Sequence, residues 1–335
     1  MIDLRSDTVT HPTPAMLKAM TEADLGDDVF DDDPTVHRLE ALAAETLGKE
    51  ASMFVPSGTQ SNLAALMTHC TRGDEYLVGQ QAHTYLFEGG GGATLGGLQP
   101  QPIDQEPDGT LDLEKLATLI KPDDYHFART RLLCLENTTW GKVLPQDYLA
   151  KAKSFADEHG LALHLDGARI FNAAIAQGIS AAELATPFDS VSACLSKGLG
   201  CPVGSVLAGP ADFVKEAKRW RKMLGGGMRQ SGILAAAGIH ALQHHVYRLA
   251  EDHANARLLA DGLADIEGIE VPPVQTNMVF ATVAEHKVAG LAEHLHAQDI
   301  LILAPKAGAL RLVTHLDLDA DAIRTAVAAF AEHLG

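Results

Sequence analysis

Positive charge is scarce in this chain. Lysine and arginine total 26 against 44 aspartates and glutamates, a formal net charge of -18. Such an acidic balance argues against nucleic acid or an anionic membrane as the principal partner, although a small anion responds to local field and stays admissible. Cysteine is sparse as well. Cys70, Cys134, Cys194 and Cys201 are scattered without C-x-x-C spacing, so neither a disulfide framework nor a cysteine zinc site is expected, and the reducing cytoplasm is the expected location. No resident metal is expected. Long apolar runs are missing: the longest weakly polar stretch, Gly232 to Leu242, is interrupted by His240 and is too short to span a bilayer. The first twenty residues include Asp3, Arg5, Asp7, His11 and Lys18 in place of an apolar h-region, so no secretory signal is expected. Internal repeats are absent. A dinucleotide fingerprint is absent too, because Gly225-Gly226-Gly227 follows no strand and lacks its acidic partner.

What is present is a globular composition. Hydrophobic residues make up 46% and charged residues 21%, enough for a sizeable core in two domains, or one large and one small. Residues 1–14 read locally as a frayed polar arm. Asp33 caps and Pro34 opens a helix that ends at Gly48, with Val36, Leu39, Ala43 and Leu47 on its apolar face. The acidic run from Asp27 to Asp33 lacks an EF-hand or octahedral pattern and reads as capping plus solvated charge. Apolar runs predict strands at 51–55, 75–79, 131–136, 161–166 and 190–195, with 203–208 beside the last. A helix is expected over 63–69, and a basic helix over 210–223. A long apolar helix then follows from 230, and the rhythm changes near residue 250. Strands at 269–271, 277–283, 300–303 and 309–316, with helices at 286–298 and from 318, make a compact α+β unit. The expected organisation is an arm (1–14), a large domain (15–249) and a small C-terminal domain (250–335).

Four features after these strands carry chemistry. Pro56-Ser57-Gly58-Thr59 leads into a helix whose free N–H groups suit an anion. His83 precedes the glycine run 89–92. Asp166-Gly167-Ala168-Arg169 closes an apolar strand, where open α/β sheets place ligand contacts. Lys197 closes the next strand and is followed by Gly198. Taken singly, each has an ordinary reading: an empty turn, a satisfied histidine, a capping aspartate, a solvated lysine. Their order and spacing supply the parts that hold pyridoxal 5'-phosphate. The lysine forms the aldimine, the aspartate keeps the pyridine nitrogen protonated, and the helix start holds the phosphate.

The chain also resembles a known family. Asp3-Leu4-Arg5-Ser6-Asp7-Thr8-Val9-Thr10, Pro56-Ser57-Gly58-Thr59 and Leu165-Asp166-Gly167-Ala168-Arg169-Ile170-Phe171-Asn172 carry the resemblance. So do Leu195-Ser196-Lys197-Gly198-Leu199-Gly200, Gly225-Gly226-Gly227-Met228-Arg229-Gln230 and Arg311-Leu312-Val313-Thr314-His315. Over essentially its whole length the sequence is similar to the fold-type I pyridoxal-phosphate enzymes, specifically the low-specificity L-threonine / L-allo-threonine aldolases. The resemblance implies an α/β fold-type I architecture: a large domain with a mostly parallel mixed central sheet flanked by helices, plus a smaller C-terminal α+β domain. It implies retro-aldol cleavage of β-hydroxy-α-amino acids to glycine and an aldehyde. Lys197 is then the Schiff-base lysine, Asp166 the partner of the pyridine nitrogen, and His83 the residue stacked on the ring. Gly58, Thr59 and Arg229 hold the phosphate. Ser6, Arg169 and Arg311 bind the substrate carboxylate, Arg169 also lying near the ring hydroxyl, which gives the arm something to fold over. His126 matches a position near the substrate hydroxyl, so His83 and His126 are both candidate bases. A homodimer or homotetramer with sites at the subunit interface is implied. Phe30-Asp31 and Thr139-Trp140 depart from the Tyr-Gly and His-Asn common in relatives. Other fold-type I activities, such as a β-lyase, racemase or aminotransferase, and a catalytically inactive cofactor-binding protein, remain open at this stage.

Overall fold

The strands, in chain order, are β1 (Ile2–Asp3), β2 (Ala51–Val55), β3 (Glu75–Gly79), β4 (Gln99–Ile103), β5 (Thr130–Glu136), β6 (Ala162–Asp166), β7 (Ser190–Cys194), β8 (Ser205–Gly209), β9 (Ile269–Glu270), β10 (Met278–Val283), β11 (Ile300–Leu301) and β12 (Ala309–Val313). They come from a computed structural model, which describes residues 1–335 with the side chain of residue 285 excepted. Seven strands form the central sheet in the order β2-β8-β7-β6-β5-β3-β4. β8 is antiparallel to both of its neighbours, and every other pairing is parallel. Strands β3, β7 and β8 are buried along their whole length. β3 after Glu75 and most of β8 are apolar, whereas β7 also buries Ser190 and Ser192, because helices cover both faces of such a sheet.

Strand direction decides where the chemistry sits. β3, β5, β6 and β7 run parallel, so their carboxyl ends share one edge. β8 reverses direction between β7 and β2, and Val55 at the end of β2 pairs with Ser205, which in turn pairs with Cys194 at the end of β7. The exit of β2 therefore reaches the same edge. The loops carrying Gly58, His83, Glu136, Asp166 and Lys197 all leave from it, as the carboxyl-end rule for open α/β sheets requires.

A second apolar cluster forms from the C-terminal part of the chain, with Leu259, Leu263, Val279, Leu312, Ile323 and Phe330 among its buried members. Its three-stranded antiparallel sheet is ordered β12-β10-β9. The arm is not frayed. Ile2 and Asp3 pair in parallel with Ile300 and Leu301, and Leu4 is fully buried in this second core. The long helix expected from 230 is two helices, Gly232–His244 and Leu249–Ala264. The helix expected to start at Leu63 starts at Gly58, where the Ser57 side chain accepts from Gln60 N at 3.1 Å. Among the described residues no helix is long and apolar enough to cross a membrane.

The acidic run is consumed by structure. Asp33 caps the helix Pro34–Thr46 by accepting from Thr35 N and Val36 N. Asp28 lies 3.0 Å from Arg221 Nη2, and Arg221 Nη1 donates to Phe54 O at 2.7 Å. Arg221 is only 6% exposed, so it ties the acidic run to β2 inside the protein. Removing one partner of a buried pair strands the other charge. Arg221→Met should lower the unfolding free energy by about 3 kcal/mol, measured by urea denaturation at neutral pH.

Candidate active site

A cavity of about 650 Å³ opens at the carboxyl edge of the sheet, and His83, Glu136, Thr138, Arg169 and Arg311 are on its wall. Asp166, the last residue of β6, is 2% exposed. Its Oδ1 accepts from Ala168 N at 3.1 Å and its Oδ2 from Asn62 Nδ2 at 2.9 Å. The same Asn62 amide donates to Glu88 Oε1 at 2.8 Å, and that oxygen also meets His83 Nδ1 at 2.8 Å. One amide thus joins Asp166 to the His83–Glu88 pair. The hydrogen bond His83 donates to Glu88 raises the pKa of His83 against the opposing effect of burial. Burial raises Glu88, with Asp166 adding to the shift and the bonds to His83 and Asn62 opposing it.

Glu136, which ends β5, stands directly across from Asp166 in the strand register. Its Oε2 accepts from His83 N at 2.8 Å. Burial first, then the Asp166 charge, pushes the Glu136 carboxyl up to about 7. Glu88 and Glu136 were not among the residues singled out from sequence. The rule that flagged Asp166, an acid at the end of an apolar strand, applies equally to Glu136, whereas nothing local marks Glu88 or Asn62.

Lys197 follows β7 and is half-buried. Its carbonyl accepts from Thr10 Oγ1 at 3.2 Å and from Gly200 N at 2.8 Å, which fixes the backbone. Its ammonium makes no ion pair among the described residues. The Asp7 carboxylate feels its charge without touching it. It is fully buried, and burial alone would raise its pKa, but Arg169, Lys197 and Asn277 together hold it well below the ordinary carboxylate range. Arg169 grips it with both Nε (2.8 Å) and Nη2 (2.6 Å), the bidentate geometry that suits guanidinium. Arg311 has only the Arg5 carbonyl, at 3.3 Å, as a hydrogen-bond acceptor among the described residues. Burial and the neighbouring Arg169 charge lower its pKa, with Asp7 opposing. Two guanidiniums therefore face the cavity around a single buried carboxylate. Ser6, next to Arg5, accepts from Thr8 N at 3.2 Å.

These groups fit pyridoxal 5'-phosphate. Gly58 and Thr59 are the first residues of their helix, so their N–H groups have no intrahelical acceptor. A Cβ at Gly58 would lie 2.8 Å from Cys194 Sγ, so only glycine lets the backbone come this close to the end of β7. The Thr138 hydroxyl on the cavity wall is buried without a partner, as is the Ser192 hydroxyl beside Asp166 in the register. An amine, a buried carboxylate, free helix N–H groups and orphaned hydroxyls are the donor and acceptor set that an aldehyde-bearing pyridinium phosphate needs.

Two expected residues stand apart. His126 lies in the loop before β5, its side chain 65% exposed and held by Asp124 at 2.6 Å. Arg229 is 54% exposed, bound to Asp27 at 2.9 Å and stacked 5.7 Å over the Phe30 ring. Neither is on this chain's cavity wall, and of the other expected residues only His83, Arg169 and Arg311 line it; Ser6, Gly58, Thr59, Asp166 and Lys197 lie outside the lining.

The raised Glu136 pKa has a consequence for stability. A carboxyl that binds its proton more tightly when folded contributes stability that is complete below its unfolded pKa and is lost as pH rises through about 7. Glu136→Gln cannot ionise, so between about pH 5 and pH 7 its unfolding free energy should fall less than that of the parent, by on the order of 2 kcal/mol. Urea titrations of the cofactor-free protein at the two pH values measure the difference.

Comparison with known proteins agrees with this geometry. The model of the Beta-eliminating lyase family matches residues 3–286. The chain is 59% identical over 318 residues to the low-specificity L-threonine aldolase of Escherichia coli K12, covering 95% of each chain. It is 45% identical over 325 residues to low-specificity L-threonine aldolase 1 of Arabidopsis thaliana, covering 94% of this chain and 91% of that one. The solved structure of Leishmania major threonine aldolase superposes with a TM-score of 0.86 at 22% identity over the whole of both chains, a likeness of fold. The chain belongs to the Beta-eliminating lyase family, in its low-specificity L-threonine aldolase branch.

Proposed function

We propose that this chain cleaves L-threonine, L-allo-threonine and related β-hydroxy-α-amino acids to glycine and the corresponding aldehyde, reversibly, with pyridoxal 5'-phosphate as cofactor. The observation that carries the reading is the pair Arg169 and Arg311 around one carboxylate, Asp7, in the cavity that also holds His83. That surplus positive charge suits the carboxylate of an amino acid. Bound cofactor supplies an electron-withdrawing ring that takes up the electron pair released when the Cα–Cβ bond breaks.

The chain's own residues do the rest. Lys197 would hold the cofactor through its amine, Asp166 would pair with the ring nitrogen, and Gly58 and Thr59 would receive the phosphate. Arg169, already aimed by Asp7, and Arg311 hold the substrate carboxylate and so orient the bond that breaks. Ser6 borders that pair. His83 takes the β-hydroxyl proton at Nε2, because Nδ1 is committed to Glu88. Imidazole titrates near neutrality, and the Glu88 bond makes this one a stronger base.

His126 and Arg229 complete the site of a neighbouring copy in a homodimer or homotetramer. Their exposure, and that of Phe30 (75%) and Tyr125 (93%) beside them, supports this reading. The large unit (15–249) with its arm (1–14) carries the cofactor groups, and the small unit (250–335) brings Arg311 to them.

Product analysis tests the reading: stoichiometric glycine and acetaldehyde from L-threonine and from L-allo-threonine support it, whereas products of another type from these substrates or from alanine point to a lyase, racemase or aminotransferase. Lys197→Ala should abolish both the cofactor's absorbance band and turnover. Asp7→Asn removes one charged partner of Arg169 and should raise KM for L-threonine about tenfold or more, with kcat changed less. Steady-state kinetics separate the two terms.

A further inference from the structure

A histidine that the mechanism leaves unused lies two residues before Asp166. His164 is in the middle of β6, on the face that Asp166 shares, and it is fully buried. Its Nδ1 meets Ser190 Oγ at 2.8 Å, and its Nε2 meets Asn62 Oδ1 at 3.2 Å. On the far side of Ser190, His69 Nε2 lies 2.7 Å from the same hydroxyl. His69, Ser190, His164 and Asn62 therefore form a line of side chains that ends on Asp166 and Glu88. Three elements supply it: β6, β7 and the helix Gly58–His69.

The inner end of the line sets its direction. Asp166 and Glu88 accept as carboxylates, so the Asn62 group between them is its NH2, at 2.9 and 2.8 Å. Asn62 Oδ1 is then an acceptor, and His164 Nε2 must carry the hydrogen. Burial pushes His164 down to about 3 and His69 down to about 4, so each ring is neutral with one N–H. His164 Nδ1 accordingly accepts from the Ser190 hydroxyl, whose oxygen accepts from His69 Nε2–H. Every donor in the line points toward the two carboxylates. Hydrogen bonds in series polarise one another, and a buried series has little competition from water. An apolar side chain at 164 would orphan Asn62 Oδ1 where water does not reach, since Asn62 is only 2% exposed.

We propose that His164 is a positioning residue for the reaction: it fixes the Asn62 amide, which holds Asp166 for the cofactor's ring nitrogen and Glu88 for His83. One buried imidazole then orients both the carboxylate that serves the ring and the carboxylate that aims the base. The proposal rests on the roles given to Asp166 and His83 above.

The first test reads the cofactor-free parent. Nitrogen NMR of isotopically labelled histidine rings, with His164 assigned by its loss in His164→Gln, should show a neutral His164 with its proton on Nε2. A proton on Nδ1, or an imidazolium at neutral pH, overturns the proposal. The second test reads holoenzyme loaded with ring-nitrogen-labelled pyridoxal 5'-phosphate. In His164→Leu the ring-nitrogen signal should move toward that of an unprotonated pyridine, and the cofactor's dissociation constant should rise about tenfold or more. The kcat/KM for L-threonine should fall by a similar factor, through kcat more than KM. Glutamine still donates to Asn62 Oδ1, so His164→Gln should stay within about threefold of the parent. A folded His164→Leu protein with the parent's ring-nitrogen signal and cofactor affinity leaves His164 a core residue only. Equal losses in His164→Leu and His164→Gln with an unmoved signal do the same. If His164→Leu does not fold, Ser190→Ala replaces it: the signal should move the same way by less, and an unmoved signal overturns the proposal. Expected signals in a parent that does not cleave threonine defeat the aldolase reading and spare the line; cleavage with the wrong His164 tautomer does the reverse.

Discussion

Asp7 is a carboxylate with no access to water, and a buried charge is tolerable only when paired and hydrogen-bonded. Its partners come from every part of the molecule. Arg169 reaches it from the exit of β6, Asn277 from the strand entry of β10 at 3.1 Å, and the arm that carries it is clamped by β11 through Ile2 and Asp3. The Asn277 amide also donates to Thr314 O at 3.1 Å, beyond β12. The ion pair therefore does two things together. It joins the arm and the C-terminal strands to the edge of the central sheet, and it aims one of the two guanidiniums into the cavity. A single buried contact ties assembly of the fold to assembly of the site.

The opposite side of the cavity has the reverse balance. Asp166, Glu88 and Glu136 crowd together, and the Asp166 charge adds to the cost of ionising both glutamates. His83 answers part of that demand through Glu88, and the Asn62 amide fills the gap between two carboxylates that would otherwise repel. An acidic floor facing an unpaired ammonium on Lys197 suits a ligand that brings a protonated ring nitrogen to one end and a carbonyl to the other. Local electrostatics reconcile an anionic ligand with a chain whose net charge is -18. A phosphate would meet helix N–H groups, and a substrate carboxylate would meet arginine.

Two of the positions singled out in the sequence, Asp31 and Trp140, sit in the same backbone region. Asp31 has φ 60° and Trp140 has φ 50°. Aspartate tolerates that conformation, as its short polar side chain bonds locally, and here it reaches His37 at 3.2 Å. Tryptophan has no such compensation from its backbone. It is held by contacts made beyond its own turn, so the difference between the two residues lies in tertiary context.

Amino-acid sequence alone determined the local pieces. Mainly apolar runs placed the strands of the central sheet other than β4 to within a residue or two, since a sheet covered on both faces buries mostly apolar side chains. Asp33 with Pro34 determined a helix start, because capping is a contact between near neighbours. The order Gly58-Thr59, His83, Asp166, Arg169, Lys197 determined the cofactor chemistry, as each follows a strand. Tertiary structure alone decided what depends on distant partners. Asp7 looked like part of a loose arm until β11 and Arg169 closed on it. Asn62 became a bridge only once the helix Gly58–His69 packed beside β6. The single helix expected from 230 became two, with His245, at the junction, bonding Leu199 O at 2.8 Å. Trp140 meets Phe87 and Phe280 only because the folded chain brings three rings, separated by dozens of residues, to one wall. Short-range rules are written in neighbouring residues, whereas burial, ion pairing and cavity shape exist only after the chain has folded back on itself.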